Sequence, residues 1–157
     1  MITPETAAAC ARRALSRVNL DYEPGAAKAR DAGRAGPPLF VKRIDVPDAD
    51  YYLVPWEVDD RIEIVLQIAA SGGAMSSMAV LKPPVSRLLM TPRQSVEAVR
   101  QAMQISVTGD PEVIWEPSRE SATPLQPLYR VPVSGGYVFV LSDGRVLRAL
   151  TPFGRGG

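Results

Sequence analysis

Two stretches of this chain set apolar residues at helical spacing, and each opens on the same pair of residues. Behind Thr3-Pro4, the positions Ala7, Ala11, Ala14, Leu15 and Val18 trace one stripe along a helix. Behind Thr91-Pro92, Val96, Val99, Met103 and Val107 do the same. Threonine followed by proline suits an N-cap with proline at the first helical position, where the missing N–H would have had no partner anyway. Gln94 stands three residues after Thr91 and completes a capping box; Thr6 fills that place less well in the first stretch. The pattern predicts two amphipathic helices of about 14 residues, each laying one face on something apolar.

After each helix the period shortens to two. Tyr52, Val54, Trp56 and Val58 alternate, Asp59-Asp60 makes a turn, and Ile62, Ile64, Leu66 and Ile68 alternate again. Ser71-Gly72-Gly73 then turns the chain into a third strand over Met75–Leu81. Further on, Tyr129–Val133, Tyr137–Leu141 and Arg145–Leu150 read as a three-strand meander, joined at Ser134-Gly135-Gly136 and Ser142-Asp143-Gly144. Gly-Gly and Asp-Gly supply the positive φ that tight hairpins need. A fourth strand is expected ahead of each set, at Leu39–Ile44 and Val113–Trp115. Segment 19–38, rich in Ala, Gly, Arg and Asp and ending in Pro37-Pro38, reads as a mobile connection. Residues 116–127 read as a polar loop.

The two halves echo each other. At an offset of 88, Ile2-Thr3-Pro4 falls on Met90-Thr91-Pro92, and Ala11, Arg12 and Leu15 fall on Val99, Arg100 and Met103. At an offset of 77, Tyr52-Leu53-Val54-Pro55 falls on Tyr129-Arg130-Val131-Pro132. Recurrence of elements in a fixed order speaks of a repeated architecture. The expectation is an α+β fold of two tandem repeats, each a helix plus a four-stranded antiparallel sheet, packed together because either alone is marginal for a core. The boundaries follow the composition: residues 1–82 for the first repeat, with Lys82-Pro83-Pro84 at the junction, 83–150 for the second, and 151–157 as a flexible tail.

Helices headed by Thr3-Pro4 and Thr91-Pro92, strands entered through Tyr52-x-Val54-Pro55 and Tyr129-x-Val131-Pro132, and the hairpin Tyr137–Leu147 together resemble tandem PepSY-like repeats of cystatin-like fold. The first copy departs from that pattern at Ala70-Ser71-Gly72-Gly73, where an acidic turn ending in glycine is commoner. The resemblance implies a regulatory, inhibitory or chaperone-like binding module, and no catalytic residues come with it.

Composition narrows the chemistry. The chain has 157 residues with 46% hydrophobic and 22% charged side chains, the make-up of a globular protein. Its 18 basic and 17 acidic side chains nearly cancel, so there is no basic field to neutralise phosphates and nucleic-acid binding is not expected. No stretch approaches the roughly 20 apolar residues that span a bilayer. Ala7-Ala8-Ala9-Cys10 looks like a lipoprotein processing site, but no hydrophobic block precedes it. A cytoplasmic protein is expected, with an exported domain lacking its leader as the alternative.

No histidine is present, which removes the usual general base and the ordinary Ser-His-Asp arrangement. Cys10 is the only cysteine and matches Ala98 in the second copy, a small helical position; it reads as a structural thiol. Asp45, Asp48 and Asp50, and Glu57, Asp59 and Asp60, are acidic clusters without EF-hand spacing, so no metal or other cofactor is expected. The glycine pairs precede strands and lack the following Lys-Ser or Lys-Thr of a phosphate loop. Trp56 reads as core. Trp115, running into a loop that carries Arg119 and Glu120, has the composition of a contact surface, and these three are the candidate partner-binding residues.

The leading expectation is therefore a non-enzymatic module that binds a protein or peptide, with self-association through sheet edges as a related outcome. A small-molecule carrier or enzyme with a pocket between sheet and helix is the alternative. A modifier-like protein using the Gly156-Gly157 end is another.

Overall fold

The computed structural model describes residues 1–154, so Gly156-Gly157 and any modifier chemistry there lie outside the described residues. Among the described residues the chain forms three helices and nine strands, and every strand pair but one is antiparallel. The mixed helix-and-sheet class follows from the switch of period from 3.6 to 2. The chain divides into two compact units. One holds Met1–Val41 and Val46–Leu88; the other holds Lys42–Asp45 and the chain from Leu89 onward.

The first unit begins with α1 (Pro4–Ser16), which the Thr3 hydroxyl caps by accepting from the Thr6 N–H at 3.1 Å. Ala7, Ala11 and Leu15 are its buried stripe. The expected mobile connection is corrected here: α2 (Pro24–Ala32) occupies its middle, and β1 (Arg34–Ala35) follows. Proline at the first turn starts α2 without any side-chain cap, and its buried residues are only Ala26 and Ala29. Small side chains let this helix lie close to the sheet, and they also hide its stripe from a search for large apolar residues.

The strands of this unit are β2 (Leu39–Arg43) as far as Val41, its last two residues belonging to the second unit, then β3 (Tyr51–Val58), β4 (Arg61–Ala69) and β5 (Met75–Val85). The spatial order is β5-β4-β3-β2, with β1 also paired to β3. Asp59 and Asp60 close the β3–β4 hairpin with φ of 50° and 62°, the double left-handed turn that matches strand twist. A second correction concerns Pro83-Pro84, which lies inside β5 rather than at a junction. The core between helices and sheet joins Ala7, Ala11 and Leu15 with Ala26 and Ala29 over Tyr52, Val54, Trp56, Ile64, Leu66 and Ile68. The Trp56 indole N–H donates to the Ala29 carbonyl at 3.0 Å, fastening α2 to β3.

The second unit is built on α3 (Pro92–Met103), whose capping box is complete: Gln94 N donates to Thr91 Oγ1 at 3.2 Å, and Thr91 N donates to Gln94 Oε1 at 3.0 Å. Val107 does not extend this helix, which ends at left-handed Gln104; it forms an isolated bridge with Val133 instead. The strands are β6 (Glu112–Trp115), β7 (Leu128–Val133), β8 (Gly136–Val140) and β9 (Val146–Leu147). β9 is shorter than the expected Arg145–Leu150; at its start Asp143 takes both the backbone N–H and the guanidinium of Arg145, at 3.1 and 2.7 Å. Lys42 and Arg43, the last residues of β2, run parallel to Ile114 and Trp115. Val99 meets Tyr129, Val131, Val138 and Val140 in the core beneath α3.

One contact recurs in both units. Tyr52 donates its phenol O–H to the Ile2 carbonyl at 3.0 Å, and Tyr129 donates its own to the Met90 carbonyl at 2.7 Å. Each acceptor is the residue just ahead of the threonine cap. Burial pushes the Tyr129 phenol above its ordinary pKa, which keeps it a donor through the neutral range.

Candidate functional site: a bare sheet edge and its flanking cleft

Of the three residues singled out in the sequence, Arg119 and Glu120 meet at Thr151, while Trp115 lies against Arg43. Trp115 is only 4% exposed; Arg43 lies over its ring at 4.9 Å, and its carbonyl accepts from Ile44 N at 3.0 Å. Its ring is therefore largely covered, and its indole nitrogen is buried with no hydrogen-bond partner. Arg119 is exposed, and its backbone N–H donates to the Thr151 carbonyl at 2.9 Å. Glu120 grips the same residue: its carboxylate accepts from Thr151 N at 2.9 Å and from Thr151 Oγ1 at 2.7 Å. Thr151, expected at the start of a free tail, is thus tied to the 116–127 loop. That loop is itself knotted by Ser118 and Ser121, both buried, with the Ser121 hydroxyl donating to the Gln126 carbonyl.

These bonds to Thr151 hold the Glu120 carboxyl below its ordinary pKa. A depressed folded pKa means that the tether is present above the unfolded pKa and lost as pH falls through the folded one. Acidification is expected to collapse the Thr151 amide shift with the Glu120 carboxyl titration, and Glu120→Gln to flatten that response. A Thr151 amide that ignores both would refute the tether.

The remaining chemical candidates are committed to structure. Cys10 is half-buried in α1, and a Cβ added at Gly73 would lie 2.7 Å from its sulfur. That thiol fills a space left by glycine. Asp59 and Asp60 form a turn, and Arg43 forks onto Asp45 at 2.8 and 3.1 Å. Among the described residues no group of three His, Cys, Asp or Glu side chains is gathered as metal ligands. Nor is any helix of the described residues long and apolar enough to cross a membrane.

What the sheet leaves open is β5. It ends the strand order of the first unit and pairs only with β4; over Ser77–Val80, in register with Gln67–Ile64 and bounded by register shifts at either end, alternate backbone N–H and C=O groups point away from any partner strand. Edge strands are ordinarily guarded by charge or proline. Here the guards are gathered at Lys82-Pro83-Pro84, and Met75-Ser76-Ser77-Met78-Ala79-Val80-Leu81 carries neither. The outer strand of the second unit, β9, is two residues long and offers no comparable length.

A cleft of about 190 Å³ flanks this edge on the helical side, walled by Ala26 and Ala29 of α2 and by Val80, Leu81 and Pro84 of β5. Glu23 and Lys82 at its rim are paired at 2.8 Å. Glu63 also lines it, for a reason of register. Trp56 pairs with Ile64 while Glu57 pairs with Ile62, so Glu63 is the extra residue of a β-bulge. A bulge re-aims the side chain it carries. The alternation of Ile62, Ile64 and Leu66 assigns Glu63 to the opposite face, and nothing in the sequence marks the bulge. A second cleft of about 370 Å³ lies between α1 and α2 over Trp56. Its Arg30 is already engaged with Asp31 at 3.0 Å and the Val18 carbonyl at 3.2 Å.

Comparison with protein-family models, curated proteins and solved structures returned no match for this chain.

Proposed function

We propose that this chain is a non-enzymatic module of two tandem helix-plus-sheet repeats, PepSY-like or cystatin-like in kind, that binds an extended segment of another protein. The repeat reading is supported by the two tyrosine bonds, Tyr52 to Ile2 and Tyr129 to Met90, which join equivalent strands to the residue ahead of equivalent Thr-Pro caps. The binding reading rests on Met75–Leu81 of β5, seven uncharged residues at the end of the strand order. An extended peptide laid beside it takes up the unpaired backbone groups, and the side chains on one face of that peptide meet the α2 cleft. The absence of histidine and the structural placement of Cys10 favour binding over chemistry.

Strand addition has a backbone signature. Peptides selected from a randomised nine-residue library on the intact chain should lose binding when alternate residues of one set are N-methylated. Methylation of the other set should be tolerated, because only one set faces β5. Tolerance of both sets would mean recognition by side chains elsewhere and would sink the proposal.

A further inference from the structure

We infer that the cleft beside β5 is a specificity pocket for one long cationic side chain, a lysine or arginine of the bound segment; this rests on the strand-addition reading. At about 190 Å³ the cleft is smaller than the ~300–1,000 Å³ typical of small-molecule sites, and it suits a single side chain. Its walls at Ala26, Ala29, Val80 and Leu81 are apolar, matching the methylene stem that lysine and arginine bury while keeping the charged head near water. At the rim, Glu23 is already answered by Lys82. Glu63 has no hydrogen bond or ion pair among the described residues, so one carboxylate lining this largely apolar cleft is left without an ion-pair partner. Arg61, two residues away on β4, is turned to the Pro84 carbonyl at 3.0 Å and forms no ion pair with Glu63.

Position joins the two features. Val80 and Leu81 belong both to the bare edge and to the cleft wall, so a strand added to β5 runs past the cleft mouth. Side chains of a strand alternate between faces, so one residue of the added segment drops towards α2 at a fixed register. The bulge at Glu63 supplies the carboxylate that an unbroken β4 would have sent to the other face.

The library selection tests this by the sequences it returns. Binders to the intact chain should carry lysine or arginine at one fixed position, and replacing that residue by norleucine should weaken binding about tenfold, the size of one exposed charge-assisted contact. Selection on Glu63→Gln, which keeps size and hydrogen-bonding capacity, should return binders without that preference. Circular dichroism and the thermal midpoint establish that the variant is folded. Binders that protect β5 yet show no basic position, or keep it against Glu63→Gln, would overturn the pocket and leave strand addition standing. A selection that yields no peptide protecting β5 would overturn both.

Discussion

Replacing Trp56 by alanine is expected to lower the stability of the chain by about 3–5 kcal/mol, the range for emptying a large buried aromatic site. The ring is 4% exposed and lies where α1, α2 and the sheet meet. α2 brings only alanines to this core, and the indole both packs in the same cluster and bonds the Ala29 carbonyl of that helix. Chemical denaturation should show a lower midpoint at nearly constant slope. Trp56→Phe separates packing from hydrogen bonding. It keeps most of the apolar contact and loses the bond to the Ala29 carbonyl, but that carbonyl also accepts from Gly33 N at 2.8 Å and stays satisfied. A loss of about 1 kcal/mol is therefore expected for phenylalanine. Equal losses for both variants would contradict the packing account.

Gly33→Ala is expected to cost about 1–3 kcal/mol, against the usual sign for removing a glycine. The backbone there is extended, with φ −95° and ψ −179°, so left-handed strain is not the reason. Space is. An added Cβ would stand 2.6 Å from Trp56 Nε1, 2.7 Å from the Ala29 carbonyl oxygen and 2.8 Å from the Glu57 carbonyl oxygen. Two of those three atoms are backbone, held by α2 and β3, and cannot swing aside. Combined with Trp56→Ala, the cost should fall short of the sum, since removing the indole clears one of the three obstacles. A neutral or stabilising Gly33→Ala would mean that the end of α2 is looser than this packing requires.

The helices α1 and α3 were legible because their caps and stripes are both written in large letters: Thr-Pro, then Leu15 or Val99 at helical spacing. The hairpins were legible from Asp59-Asp60 and the glycine pairs, which tolerate positive φ. α2 was not, because its inward face is Ala26 and Ala29 and its start has proline without a capping side chain. Pro24 followed by alanines and closed by Gly33 was the available signal, and the neighbouring glycines and prolines outweighed it. Trp115 was read from its flanking loop, and sequence alone does not reveal that Arg43 lies over its ring. Of the candidate site, the uncharged run Met75–Leu81 was readable, but its place at the end of the sheet order depends on non-local pairing. Glu63 was unreadable, because a bulge is a property of two strands in register and leaves the alternation of either one intact.

The central claim, recognition at the β5 edge, is tested most directly by amide hydrogen exchange along that strand. In the free chain, alternate amides of Ser77–Val80, the stretch in register with β4, should exchange fast while their neighbours, bonded to β4, are protected. On saturation with a selected peptide the fast set should become protected at β5, with no comparable change along β9. Protection of the whole alternate set by peptide is the predicted result. A peptide-bound chain whose outward β5 amides still exchange as in the free chain would contradict the account.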